Sequence, residues 1–282
     1  MICVLDAACR ITYASPAIAR IGGDDADALA GADLRQLVHA DDRARFDDVY
    51  RAALADGGGA DDHHREARLG TAGGWRWYET TFRNLMANAA VAGVVGTLRD
   101  VTERQEAHER LTYEANHDAL TGLANRGAFL RALEHVIRHG GPDGGTPAVL
   151  FIDLDGFKEV NDALGHEAGD ALLVAVAGVQ RRSVLGSDVV GRLGGDEFAA
   201  VLTGVDAARS AVAVADRPLR AMCEPVVVGG QPVVARASIG IAVADRDGVT
   251  PDEVLRQADA AMYQVKRDGT HAWRLSEPSP RT

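Results

Sequence analysis

The run Ala148-Val149-Leu150-Phe151-Ile152, followed at once by Asp153-Leu154-Asp155, constrains the fold more than any other stretch. Five consecutive apolar residues, four of them strand-favouring or long, predict a buried strand at the centre of a sheet. Asp153 and Asp155 stand two apart where that strand ends, so they share a face if the extended backbone continues.

A second acidic stretch, Arg192-Leu193-Gly194-Gly195-Asp196-Glu197-Phe198, reads as the turn of a β-hairpin. Apolar runs flank it, Asp188 to Leu193 before and Phe198 to Leu202 after. A Gly-Gly pair between such runs marks a tight turn, because glycine takes positive φ at little cost. Asp196 and Glu197 at its tip repel each other unless a cation sits between them. Taken alone, the stretch is equally a polar turn with two solvated acids. Facing Asp153 and Asp155, it makes an oxygen-rich site suited to Mg²⁺. With Lys158 nearby, the combination suits phosphoryl or nucleotidyl transfer. The chain has no Gly-x-x-x-x-Gly-Lys-Ser/Thr loop, so a triphosphate must be held another way.

Gly194-Gly195-Asp196-Glu197-Phe198 resembles the signature of the GGDEF family of diguanylate cyclases, and four further motifs agree with it in order. His117 to Arg126 resembles the family's opening motif, and Asp153 to Asp170 its metal and guanine segment. Ser238 to Ala242 and Asp259 to Lys266 resemble its closing strand and helix. The resemblance covers about residues 117–270 and implies a cyclase-palm topology.

The chain has 282 residues, enough for two domains, and its hydrophobic fraction of 46% supports real cores. A formal net charge of −11 disfavours non-specific contact with nucleic acid or anionic membrane, so local cations must hold any nucleotide. Cys3, Cys9 and Cys223 match no metal spacing, and a reduced cytoplasmic compartment is expected. No signal peptide and no run long enough to cross a bilayer is found.

Residues 1–100 read as a first domain in the order strand, strand, helices, three strands. This order, with Gly31 to Leu34, Val38 to Asp42, Gly74 to Glu79 and Gly96 to Arg104, resembles a PAS sensor domain. The resemblance starts partway into the usual domain, so a missing N-terminal cap and further preceding domains are expected. The signal or ligand is not specified; an apo, dimerising domain is the expectation. His39, His63 and His64 are candidate haem ligands but more simply surface or loop histidines. Trp75 and Trp77 share a strand face, as core or dimer surface.

Residues 101–117 predict a polar signalling helix, opened by a capping box of Asp100 and Glu103 and carrying a thin seam of Ala107, Leu111 and Ala115. A plain spacer is the alternative. Residues 118–275 read as alternating strands and helices, hence a central sheet covered by helices, and 276–282 as a tail; the whole chain is α+β. Asn125 should cap a helix ended by Gly140-Gly141, Gly165 should break the helix after Asp155, and Asp206 should start a helix that Pro218 ends or kinks. Strands are expected at Val226 to Val228 and Val233 to Val243, and a helix from about Asp170 to Arg182.

The family resemblance implies condensation of two GTP into cyclic di-GMP, with release of two pyrophosphates. It implies that Asp153, Asp196 and the Leu154 carbonyl bind Mg²⁺ or Mn²⁺, and that Asp196 or Glu197 takes the 3′-hydroxyl proton. Lys158 stabilises the transferring phosphate. Asn161 and Asp170, with Phe157, fit guanine, Gly194 and Gly195 admit phosphate to backbone N–H groups, and Lys266 and Arg267 contact the triphosphate. Each half-site holds one GTP, so a homodimer is expected through the PAS domain, the helix and facing catalytic domains.

Two departures stand out. The product-inhibition Arg-x-x-Asp is Leu185-Gly186-Ser187-Asp188 here, so its arginine is absent. The closing Lys-x-x-Gly-Arg-Asn is Lys266-Arg267-Asp268-Gly269-Thr270-His271, with Thr270 in place of the triphosphate arginine. The rival readings are a GTP-binding signalling module without turnover and a cyclase acting on a single nucleotide.

Overall fold

The alternation of apolar residues in the first hundred positions produces an antiparallel sheet. The computed structural model describes residues 1–21, 29–56, 62–140, 145–203, 207–244, 248–269 and 271–277. The chain divides into two units, Met1–Leu111 and Thr112–Thr282.

In the first unit, β1 (Ile2–Leu5), β2 (Ile11–Ala14), β3 (His63–Thr71), β4 (Gly74–Leu85) and β5 (Gly93–Asp100) form an antiparallel sheet in the order β2-β1-β5-β4-β3. Every second residue of β4, from Tyr78 through Thr80, Phe82 and Asn84, turns inward. Helix α1 (Arg43–Ala55) covers that face with Phe46, Tyr50 and Ala53, spaced to share one side of a helix. Phe46 and Tyr50 both meet the Phe82 ring edge-on, at 5.4 and 5.2 Å between centroids. Leu34 and Val38 are fully buried. Trp75 is exposed and Trp77 carries the Arg68 guanidinium over its ring, so neither enters the core. His39, His63 and His64 also lie outside the buried core.

Helix α2 (Thr102–Asn116) follows β5. The Asp100 carboxylate accepts from Thr102 N–H at 3.0 Å, so it caps the chain one residue earlier than the Asp100–Glu103 capping box would. Leu111 and Ala115 of the expected seam are exposed, and Ala107 is half-buried.

The second unit is built around β6 (Ala148–Asp155), which is buried from Ala148 to Leu154. With β7 (Val189–Gly194), β8 (Glu197–Leu202), β11 (Arg236–Val243) and β12 (Ala272–Leu275) it forms a sheet in the order β12-β11-β6-β8-β7. Strand alternation sorts the two faces. Leu150, Ile152 and Leu154 pack with α5 (His166–Ser183) and α6 (Ala207–Met222). Val149 and Phe151 pack with α3 (Arg126–His139) and α7 (Pro251–Asp268). Helix α7 lies so close to β11 that a Cβ at Gly240 would meet the Ala258 carbonyl at 1.8 Å; only glycine fits there.

Several predicted boundaries move. Pro218 sits inside α6, which runs on to Met222 rather than ending there; its start at Asp206 lies outside the described residues. The Val233–Val243 run splits, because Val233 ends a short hairpin of β9 (Val226–Val228) and β10 (Gln231–Val233) before β11 begins. Helix α5 begins at His166, ahead of Asp170, directly after the break at Gly165 that closes α4 (Phe157–Leu164). The Asn125 side chain caps α3, and Gly140 follows its last residue; Gly141 is outside the described residues.

Candidate functional site

Three elements deliver the acidic residues. Strand β6 ends in Asp153 and Asp155, and the β7–β8 hairpin places Asp196 and Glu197 beside it. Asp153 pairs directly with Glu197 across the β6–β8 ladder, and Leu154 N–H donates to the Asp196 carbonyl at 3.4 Å. The hairpin turns at Gly194 and Gly195, with Gly195 at φ +49°. Both glycines are exposed, so their backbone is open to a ligand.

Asp153 is buried, and Lys266 Nζ from α7 lies 2.5 Å from its Oδ1. Burial pushes the Asp153 carboxyl above the usual carboxylate range; Lys266 opposes this, while Asp196 and Asp155 add to it. Glu197 is pushed up too, by burial first and then by Asp153, Asp196 and Asp259, against a weaker pull from Arg126. A cleft of about 290 Å³ beside Glu197 is lined by Arg126, Asp252, Arg256 and Asp259. Among the described residues no three His, Cys, Asp or Glu side chains close around a metal. The donor set still fits a divalent cation: carboxylates whose charge is disfavoured where they stand, beside a strand end, with positions left for phosphate oxygens.

The purine candidates sit on the α4–α5 corner. Gly165, at φ +87°, turns the chain, and its N–H donates to the Asn161 carbonyl at 2.9 Å. The Asn161 side-chain oxygen is buried and has no partner among the described residues. It lies 1.9 Å from where a Cβ of Gly169 would be, and Phe157 Cζ lies 3.2 Å from that point. Phe157, Asn161 and Gly169 therefore interlock, with Asp170 exposed on the next position of α5. Lys158 and Arg267 are exposed; Lys266 is turned onto Asp153. Thr270 lies outside the described residues.

Asp188 is engaged by its own turn. Its carboxylate accepts from Leu185 N–H and Thr203 N–H, each at 2.8 Å, while Leu185 is exposed.

Sequence reasoning missed several supporting residues. Arg192 donates to the Gly195 carbonyl at 2.9 and 2.7 Å and pairs with Asp118 at 3.1 Å. Burial would raise the Asp118 carboxyl, but hydrogen bonds from Thr121 and Arg192 outweigh it and hold it low. Asp155 accepts from the Ser238 hydroxyl at 2.8 Å and from His271 N–H at 3.2 Å. Arginine just before the Gly-Gly pair was the one signal available; the Asp155 partners lie 83 and 116 residues away.

A five-stranded sheet between two helix layers, with acids at a strand end and on the adjoining hairpin, defines a nucleotidyl-cyclase-type catalytic domain. Residues 115–272 match the family model described as diguanylate cyclase, GGDEF domain, and residues 1–106 match the PAS fold. The chain belongs to the GGDEF family. An uncharacterised signalling protein of Caulobacter vibrioides is 36% identical over 253 residues, covering 88% of this chain and 31% of that protein. Diguanylate cyclase TpbB of Pseudomonas aeruginosa is 41% identical over 174 residues, covering 61% of this chain and 40% of TpbB. The chain thus spans well under half the length of these relatives. The structure of an N-terminally truncated TpbB of Pseudomonas aeruginosa comprising only the GGDEF domain superposes with a TM-score of 0.52 at 42% identity, over 57% of this chain and 94% of that one. The coiled coil and GGDEF domain of DgcB from Caulobacter crescentus, solved in complex with c-di-GMP, gives 0.57 at 28% identity, over 62% and 93%. No helix among the described residues is long and apolar enough to cross a membrane.

Proposed function

We propose that the chain is a diguanylate cyclase: two GTP molecules condense, each 3′-hydroxyl attacking the α-phosphate of the other nucleotide, to give cyclic di-GMP and two pyrophosphates. One observation carries this reading. Asp153, Asp196 and Glu197 form an acid cluster at a strand end, where burial and mutual repulsion raise two of the three carboxyls. Asp153, Asp196 and the Leu154 carbonyl would hold Mg²⁺ or Mn²⁺. Such an ion neutralises phosphate charge and acidifies the attacking hydroxyl.

The remaining roles belong to the chain's own groups. Asn161 and Asp170 read the guanine edge, the buried amide oxygen of Asn161, without a partner among the described residues, turning toward the base to accept. Phe157 packs beside it. Gly194 and Gly195 bring backbone N–H groups to the phosphates. Lys158 and Arg267 supply positive charge from exposed positions, and Lys266 moves between Asp153 and the triphosphate. Glu197 or Asp196 receives the hydroxyl proton. Leu185 removes the arginine of the product-inhibition site, and Asp188 is occupied by its own turn.

One domain offers one GTP half-site, so two chains must face each other, joined through the PAS unit and the 101–117 helix. The PAS unit sets how often the halves meet. A chain lacking residues 1–110 that kept full, unaltered activity would refute that regulation.

The deciding experiment is incubation with GTP and Mg²⁺ followed by chromatography of the products. Cyclic di-GMP is expected. GTP binding without product would establish the non-catalytic alternative, and cyclic GMP would establish a single-nucleotide cyclase.

A further inference from the structure

Away from the acid cluster, the C-terminal end of α6 meets the loop that leads into β12. There Cys223 Sγ lies 3.2 Å from His271 Nε2. The pair opens onto a surface groove of about 470 Å³ that also touches Arg220 and Trp273. Cys223 is exposed, whereas Cys3 and Cys9 are fully buried in the first unit. Burial pushes both of those thiols up to about 12, which leaves them inert.

His271 is held in an uncommon conformation, at φ +63°. Among the described residues its buried ring Nδ1 has no partner, and the contact of Nε2 with the thiol is the ring's polar contact. Its backbone N–H donates to Asp155 Oδ2 at 3.2 Å. Asp155 closes the strand that carries Asp153, and Ser238 fixes its other oxygen. A thiol–imidazole pair is therefore one residue's backbone away from the acid-bearing strand end.

We propose that Cys223 is a peroxide-reactive modification site whose oxidation weakens nucleotide and metal binding through His271 and Asp155. The sulfur attacks one peroxide oxygen; the S–O bond forms as the O–O bond breaks. His271 Nε2 takes the thiol proton and passes it to the departing hydroxide, which leaves as water. The thiol is oxidised to sulfenic acid and the peroxide is reduced, with no other reactant needed. The added oxygen occupies the space between sulfur and imidazole, displaces the His271 ring, and with it the backbone N–H that anchors Asp155. The site itself does not depend on the catalytic reading; its effect on GTP does.

The test treats the full chain with hydrogen peroxide, traps sulfenic acid with dimedone, and follows each cysteine by mass spectrometry. Cys223 should label while Cys3 and Cys9 stay unlabelled in the folded protein. His271→Asn and His271→Gln, each checked for folding by circular dichroism, should slow labelling of Cys223 by about tenfold or more. Calorimetry with GTP and Mg²⁺ should show affinity several-fold lower after oxidation, and no such change in Cys223→Ser. Equal labelling of Cys223 in wild type and both folded histidine variants would overturn the site. Unchanged affinity of the oxidised wild type for GTP would overturn the coupling. Failure of the untreated protein to bind GTP would refute the catalytic reading and with it the coupling, while the labelling rates still decide the site.

Discussion

In the first unit Asp33 and Asp42 each face an arginine, whereas in the second Asp153 and Glu197 are governed by burial, with other acids close by. Hydrogen bonds from Arg35 hold the Asp33 carboxyl below its ordinary range, and those from Arg68 do the same for Asp42. Arg68 grips Asp42 with two nitrogens, at 2.8 and 2.9 Å, in the forked geometry that suits a carboxylate. Asp153 and Glu197 move the other way, because burial disfavours their charge and the pull of Lys266 on Asp153 and of Arg126 on Glu197 does not offset it. Of these pairs, Asp42–Arg68 ties the turn before α1 to β3, and Asp33–Arg35 closes a local helical turn. Unbalanced charges of the second kind cost stability and persist where a ligand cation completes them.

Breaking the acid cluster should have the largest effect. Asp153→Asn should lower turnover by on the order of 10³-fold or more, by loss of a proposed metal ligand. Its thermal midpoint should stay level or rise, since a buried charge is removed; a steady-state assay and a melting scan in the absence of metal check both. Gly169→Ala comes next. The new methyl displaces Asn161, so KM for GTP should rise by about tenfold while kcat changes little. A fall in kcat alone would separate Asn161 from substrate binding.

The pH profile sharpens the contrast. A carboxyl whose pKa is raised on folding binds more protons folded than unfolded, so the metal-free second unit should lose stability as pH climbs from the ordinary carboxylate range through the raised values. Asp33 and Asp42, being lowered, contribute stability that is present at neutral pH and is lost as pH falls through their depressed values. In the metal-free protein the Asp153 carboxyl should titrate above an ordinary carboxylate pKa of about 4, read by NMR. Lys266→Ala should shift that titration further up, because the ammonium is what draws the Asp153 carboxyl down. The smallest effect belongs to the first unit. Arg68→Ala should cost about 1 kcal/mol, seen as a lower melting temperature, and leave turnover of the untreated enzyme within about twofold.

Much of this was legible in the chain. The apolar run before Asp153 has one stable solution, burial at the middle of a sheet, and β6 occupies it. The Gly194-Gly195 pair between two apolar runs leaves little but a hairpin. Local rules misled at Asp100, whose carboxylate reaches Thr102 instead of Glu103, and at Pro218 they left open an end or a kink, of which the end does not occur.

Sequence by itself determined which residues carry charge, where strands and turns fall, and that two acidic stretches exist to be brought together. Only the tertiary structure decided what each acid faces: Lys266 against Asp153, Ser238 and His271 against Asp155, Arg192 across to Asp118. The reason is physical. Hydrophobic periodicity is a local property of the chain, whereas the charge state of a buried carboxylate is set by groups that arrive from a hundred residues away.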